Sequence, residues 1–296
     1  MKIAVIGTGV WGKGFGNAIL RNGHEVVWVS RNEKKLPDQD FELLFVAVPC
    51  QVLRGRLEGL EIPRPIPVIS LIKGIEISTG LRVTQIVQDV LPGFPVGAVS
   101  GPGLAGEVSA GLPTVLVVAC DGKALTERVQ KVIHSKKLRT YRSNDLPGVE
   151  YGGALKNIFA IASGVCTGLK MGENAMAGLT TRALAEMVRI AVAGGAKMET
   201  MVGLSGLGDL MLTAYSPSSR NQRVGEALAQ GRMLPEILTH LGGVAEGVYT
   251  TEAVYKFTIE NKIKAPIVEQ TYQVLFEGKR PVDAMHDLLT RDAYEE

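Results

Sequence analysis

Apolar residues in the first half of the chain fall into short, nearly unbroken runs: Ile3–Ile6, Val26–Val29, Leu43–Val48, Val68–Ile72, Val96–Val99 and Val115–Ala119. Each is rich in β-branched residues and bounded by Gly, Pro, Ser or charge, which predicts strands. Runs without polar alternation suit parallel strands covered on both faces. Helical stretches separate them, among them Phe15–Asn22, closed by Gly23, and Leu81–Leu91, closed by Pro92. Pro63, Pro65 and Pro67 stiffen the approach to the fourth strand. This rhythm predicts an α/β, doubly wound, mostly parallel Rossmann-like sheet over residues 1–147.

The pattern changes near Leu146-Pro147-Gly148. Ala175, Leu179, Ala183, Met187 and Ala191 recur every fourth residue, an apolar stripe best read as plain helix core. Val248–Ile259 and Ile267–Phe276 also read as helices, the second with Pro266 at its first turn. Residues 148–296 are therefore expected to form an all-helical domain.

The sheet is expected to be abbreviated. The stretch 31–42 between the second and third strands contains Pro37 and is barely one crossover long. It cannot hold the extra helix, strand and return of a full mononucleotide-binding half, so the second strand becomes an edge.

Composition narrows the function. The 296 residues are 46% hydrophobic and 21% charged, ordinary for a globular chain and too apolar for disorder. Lys plus Arg is 32 against 30 for Asp plus Glu, and only 5% of residues are aromatic, which argues against nucleic-acid binding. No apolar run approaches the ~18 residues needed to span a bilayer. The opening Met1–Gly7 resembles a signal peptide only until Gly7 and Gly9 interrupt it, so none is expected. Cys50, Cys120 and Cys166 are too few and too scattered for a disulfide framework, and the cytoplasm is the expected location. His24, His134, His240 and His286 lie outside metal-ligand spacing, so no metal is expected.

Candidate chemistry begins at Gly7-Thr8-Gly9-Val10-Trp11-Gly12, between the first strand and the first helix. Gly7 permits the tight turn, Gly9 lets a pyrophosphate approach, and Gly12 allows close helix–strand packing. Free N–H groups at the helix start then face the phosphates. Lys73, in Ser70-Leu71-Ile72-Lys73-Gly74, follows the fourth strand at the end of the sheet where ligands sit. Ser100-Gly101-Pro102-Gly103-Leu104-Ala105 is either an anion-binding helix start or a turn. In Gly152-Gly153-Ala154-Leu155-Lys156-Asn157, a lysine in an apolar helix either snorkels or, desolvated, moves a proton. Asp209, in a Gly-rich turn, reads as a cap or a ligand group. Ser218-Ser219-Arg220-Asn221 is a capped helix start or a phosphate cradle.

The second strand ends in Ser30-Arg31-Asn32, with Glu25 before it and Glu33 beyond it. With no carboxylate at the tip to accept ribose hydroxyls, Arg31 is the group available for a 2′-phosphate, which predicts a preference for NADPH with NADH still used.

Taken together and in order, G-x-G-x-x-G, S-x-x-K-G, S-G-P, G-G-A-x-K-N, G-L-G-D-L and S-R-N resemble the bacterial NAD(P)-dependent sn-glycerol-3-phosphate dehydrogenase family, from Lys2 to about Arg280. The resemblance implies reversible reduction of dihydroxyacetone phosphate to sn-glycerol 3-phosphate, the backbone of membrane phospholipids. It also implies that Lys156 exchanges the proton with the carbonyl and that Lys73 contacts both cofactor and substrate. Asp209 would meet the substrate hydroxyls, and Ser219, Arg220 and Asn221 the phosphate end. Gly101 and Gly103 would line the substrate. Ala105, Val10, Trp11, Arg31, Arg220, Val244 and Glu246 would touch the dinucleotide. The chain departs from the family at Val10 and Gly103, where hydroxyl residues are common. A homodimer is the assembly to test for. Two other readings stay open. A β-hydroxyacid dehydrogenase carries its amide four residues after the lysine, whereas Asn157 is adjacent to Lys156. An NADPH-sensing protein would have no need of Lys156, Asp209 and Arg220 together.

Overall fold

Seven strands, β1 (Lys2–Ile6), β2 (Glu25–Val29), β3 (Leu43–Val46), β4 (Val68–Ser70), β5 (Val96–Ser100), β6 (Thr114–Cys120) and β7 (Leu138–Arg142), form one sheet ordered β2-β1-β3-β4-β5-β6-β7. The computed structural model describes residues 1–37 and 39–291. All neighbours pair in parallel except β5 and β6. Alternation sends Ile3 and Val5 of β1 to one face and Ala4 and Ile6 to the other, and both faces are buried. Helices α1 (Val10–Arg21), α4 (Ala105–Ala110) and α5 (Lys123–Ile133) cover the first face, whereas α2 (Cys50–Glu58) and α3 (Val83–Val90) cover the second.

β2 is an edge, and among the described residues of 31–42 none pairs outside it, so the sheet is abbreviated as expected. Three features differ from the sequence reading. β6 is antiparallel to β5, with Ser100 opposite Val117. An unbroken apolar run reports burial on both faces but not direction. The compact connection through α4 returns the chain at the end of the sheet where β5 finished. β7 was not anticipated, because Leu138 and Thr140 are buried while Arg139 and Tyr141 are exposed. An edge strand with one solvated face alternates and shows no apolar run. Finally, α1 begins at Val10 rather than Phe15. Glycine disfavours helix, yet Gly14 and Gly16 are required there. A Cβ on Gly14 would lie 3.1 Å from the Ala105 carbonyl, and one on Gly16 3.1 Å from the Trp28 ring.

The remainder is helical among the described residues: α6 (Leu146–Gly168), α7 (Glu173–Ala193), α8 (Met198–Met201), α9 (Asp209–Tyr215), α10 (Arg220–Ala229), α11 (Leu234–His240), α12 (Glu246–Glu260), α13 (Pro266–Phe276) and α14 (Pro281–Leu289). Asp145 caps α6 by accepting the Gly148 N–H at 3.0 Å. From Gly148 to Cys166 every residue of α6 is buried, the mark of a central helix. The α7 stripe packs into the same core as Leu155, Ile158 and Phe159. α10 crosses α6 with backbones in contact: a Cβ on Gly164 would lie 1.9 Å from the Gln222 carbonyl, and one on Gly225 1.9 Å from that of Ile161. Glu150 of α6 reaches the start of α3, accepting from Thr84 N at 2.8 Å and pairing with Arg82, which ties the helical half to the sheet. The three cysteines are buried and free. Among the described residues no helix is long and apolar enough to cross a membrane, and no cluster of potential metal ligands occurs.

Candidate active site

The glycine loop has the predicted geometry. Gly7 has φ +115°, and a Cβ there would lie 2.5 Å from the Ala47 carbonyl. A Cβ on Gly12 would lie 2.1 Å from the Gly7 carbonyl, whereas Gly9 faces open space. Only glycine fits the first and third positions, and the second leaves room for a phosphate group. Val10 is exposed beside this opening. Trp11 turns inward, donating from Nε1 to the Leu71 carbonyl at 3.1 Å. A Cβ on Gly103 would lie 3.3 Å from the Trp11 ring, so the indole takes up the space a hydroxyl side chain would use.

Lys73 lies just beyond β4, and its Nζ donates to the Gly101 carbonyl at 2.9 Å and to Asp209 Oδ2 at 2.5 Å. Lys156 reaches the same carboxylate from α6, with Nζ 3.0 Å from Oδ1. It also donates to Thr213 Oγ1 at 2.5 Å. Two ammonium groups from opposite halves of the fold thus share one fully buried carboxylate. Desolvation of Lys156, opposed by Asp209 and reinforced by Lys73, lowers its pKa to about 8.

Glycines make this meeting possible. A Cβ on Gly152 would lie 2.4 Å from the Ser205 carbonyl, and one on Gly153 2.4 Å from Ser100 Oγ and 3.2 Å from Lys73 Cγ. The segment that presents Asp209, read from sequence as a turn, is a π-helical turn (Leu204–Gly208) running straight into α9. Such turns often mark functional sites.

A second amide-rich layer adjoins the first. Asn157 Nδ2 donates to the Lys73 carbonyl at 3.0 Å, and Asn221 Nδ2 to Asn157 Oδ1 at 2.8 Å. Asn221 Oδ1 accepts from Gly247 N at 3.0 Å, so this amide is turned inward and braces α6 against the start of α12. Ser219 caps α10, accepting from Gln222 N at 3.3 Å. Arg220 next to it is exposed, lying over Gly243 and close enough to Glu246 to act on its charge. Glu246 Oε1 accepts from Cys50 N at 3.0 Å, while Oε2 is buried without a partner among the described residues. Burial raises its pKa to about 7, against the Cys50 N–H and Arg220. Val244 sits half-buried just before it, and Ala105 opens α4 with its carbonyl against Gly14. Arg31 is exposed just beyond the end of β2, with no hydrogen bond or ion pair to this cluster among the described residues.

Sequence reasoning missed Thr213, which lies one helical turn after Asp209 and donates to its Oδ1 at 3.3 Å. The i, i+4 spacing on α9 was the available signal. It also missed a carboxylate at the tip of β2, since Glu33 folds back to accept the Ser30 N–H at 3.1 Å. Glu25 belongs to β2 rather than preceding it.

A glycine cradle at the end of a mostly parallel sheet, with its Trp11 ring 5.9 Å from Lys73 of a buried lysine–carboxylate cluster built from both halves of the fold, defines a nicotinamide-dependent oxidoreductase. Residues 145–286 match the family model for the NAD-dependent glycerol-3-phosphate dehydrogenase C-terminus, and residues 37–126 that for its N-terminus. Residues 2–42 match a model described as NADP oxidoreductase coenzyme F420-dependent. The chain is 40% identical to the glycerol-3-phosphate dehydrogenase (NAD(P)+) of Maridesulfovibrio salexigens, with 99% of each chain covered. It is 41% identical to that of Trichormus variabilis, covering 98% of this chain and 96% of the relative. The crystal structure of glycerol-3-phosphate dehydrogenase from Coxiella burnetii superposes with a TM-score of 0.90 at 32% identity, covering 98% of this chain and 99% of that one. The chain belongs to the NAD(P)-dependent glycerol-3-phosphate dehydrogenase family.

Proposed function

We propose that the protein reduces dihydroxyacetone phosphate reversibly to sn-glycerol 3-phosphate, preferring NADPH and accepting NADH, and so supplies the backbone of membrane phospholipids. The observation that carries this reading is the pair Lys73 and Lys156 on the one carboxylate of Asp209. The Gly7, Gly9 and Gly12 cradle fits a pyrophosphate. The unpaired Glu246 Oε2 fits an amide donor such as a carboxamide, and Val10, Trp11, Ala105, Arg220 and Val244 complete the proposed dinucleotide surface. Bound there, the reduced nicotinamide supplies the hydride.

The other steps belong to this chain's own residues. As negative charge develops on the carbonyl oxygen, Lys156 gives its proton to that oxygen and is left as the neutral amine, which takes the proton back in the reverse direction. A pKa of about 8 keeps both forms accessible near neutrality. Asp209 holds the two lysines together and accepts from the substrate hydroxyls. Lys73, with Gly101 and Gly103, orients the carbonyl end. Arg220, at the helix start capped by Ser219 and backed by Asn221, takes the phosphate, whose binding energy orients the remote reacting carbon. Arg31 is assigned to the 2′-phosphate of NADPH. The same reading divides the chain at 147/148, within the first turn of α6, and gives a cytoplasmic enzyme that pairs as a homodimer.

Lys156→Ala tests the assignment. Turnover of dihydroxyacetone phosphate, followed by loss of NADPH absorbance, should fall by about 10² or more while NADPH binding persists. Wild-type turnover by the variant at neutral pH excludes Lys156 as the proton donor.

A further inference from the structure

The tip of β2 carries an arrangement that the sequence did not disclose. Ser30 is held from two sides: its N–H donates to Glu33 Oε2 at 3.1 Å, and its carbonyl accepts from Arg56 Nη2 at 3.0 Å. Arg56 belongs to α2, which packs on the same face of the sheet as Val29 at the end of β2. Nη2 is the one Arg56 nitrogen matched to a protein acceptor among the described residues, and Nε is buried without a partner. An unpaired buried N–H is costly, so this side chain gains from an acceptor the protein does not itself supply. Glu33 is the acidic group whose charge acts on it. Arg31 adjoins on the exposed side, while nearby Lys35 is paired with Glu61 at 2.9 Å.

In dinucleotide-binding sheets the end of the second strand meets the adenosine ribose. A carboxylate there accepts the 2′-hydroxyl, and a guanidinium pairs with a 2′-phosphate. This chain presents both. We propose that Arg56 is a second guanidinium for the 2′-phosphate beside Arg31, and that Glu33 is the opposing group, accepting the ribose hydroxyl when the phosphate is absent. The pair sets the discrimination between NADPH and NADH. With the phosphate bound, the Nε–H and a terminal N–H of Arg56 provide the fork that a phosphate accepts, and the Glu33 carboxylate turns away from it. With a free ribose, Glu33 stays at the tip. The inference rests on the reading that the adenosine ribose lies at the end of β2, and it assigns specificity to residues on two different elements.

Binding of adenosine fragments tests it without turnover. Calorimetric titration with 2′,5′-ADP and with 5′-ADP compares wild type, Arg31→Gln, Arg56→Gln, Arg56→Lys and Glu33→Gln. Wild type should favour 2′,5′-ADP. Arg56→Gln should reduce that preference about tenfold, the size expected for one charged hydrogen bond. Arg56→Lys should recover part of it by keeping the charge, and it carries the test if the glutamine variant does not fold. Glu33→Gln should move the preference further toward 2′,5′-ADP. Equal weakening of both ligands in the Arg56 variants makes Arg56 a structural brace and overturns the proposal. An effect confined to Arg31→Gln overturns it too, while leaving the NADPH reading intact. A wild type without preference for 2′,5′-ADP overturns the NADPH reading itself.

Discussion

Asp209→Asn is the most informative single substitution, because it removes one charge from between two ammonium groups and changes little else. In the wild type Lys156 lies 3.0 Å and Lys73 2.5 Å from the two carboxylate oxygens. Two unit charges at that separation interact by about 5 kcal/mol at an effective dielectric of about 20, a ceiling of about 4 pH units. An opposite charge at this range typically moves a pKa by about 1–3 units. Desolvation and Lys73 already hold Lys156 at about 8 against the pull of Asp209. Without the carboxylate, Lys156 should fall to between about 5 and 7. At pH 7.5 its ammonium fraction is about three-quarters in the wild type and below about one-quarter in the variant. Ketone reduction should therefore slow at least about threefold from protonation alone, with a further loss from the missing hydroxyl contacts. The assay is kcat/KM for dihydroxyacetone phosphate from pH 5.5 to 9.5 at saturating NADPH. The descending alkaline limb should lie near pH 8 in the wild type and at least one pH unit lower in the variant. A limb that stays in place, or moves upward, would refute the coupling of Lys156 to Asp209 and with it the role of Lys156 as the titrating acid.

Three further outcomes are expected. Arg220→Ala should raise KM for dihydroxyacetone phosphate by about 10- to 100-fold, the loss of charge-assisted hydrogen bonds to a phosphate; an unchanged KM locates the phosphate elsewhere. Glu186, buried on α7, accepts the Ile267 N–H at 2.8 Å at the start of α13, and burial raises its pKa to about 7 against these N–H bonds. A raised carboxyl pKa stabilises the fold at low pH, and that contribution is lost as pH rises from about 4.5 to 7, by up to about 3 kcal/mol. The stability difference between Glu186→Gln and wild type should accordingly shift in favour of Gln over that window, and a pH-independent difference in Tm contradicts the assignment. Gly225→Ala should cost at least about 2 kcal/mol, because its Cβ would lie 1.9 Å from the Ile161 carbonyl on the central helix; an unchanged Tm would show that α6 and α10 do not cross in contact.

Local rules were enough for what depends on neighbours in sequence. The glycine cradle, the change from strands to helices near Leu146, the α7 stripe and the missing third strand all follow from spacing, side-chain shape and chain length. Ordered motifs were enough to nominate Lys73, Lys156, Asp209 and Arg220. Direction and partnership were another matter. An unbroken apolar run records burial and not direction, so the antiparallel pairing of β6 was not legible in it, and the edge strand β7 alternates and has no such run. Lys73 and Asp209 are 136 positions apart, and no periodicity links them. Their contact requires α6 to be stripped of side chains at Gly152 and Gly153 so that the π-helical turn and the Lys73 segment can close on it at neighbouring positions. The opposed charges of Glu33 and Arg56 at Ser30 depend likewise on α2 packing across the sheet face next to the end of β2. Chain order and local chemistry set which groups were available and on which elements they ride. Tertiary structure alone decided which of them share one buried charge, because desolvation and Coulomb interactions act through space and take no account of chain order.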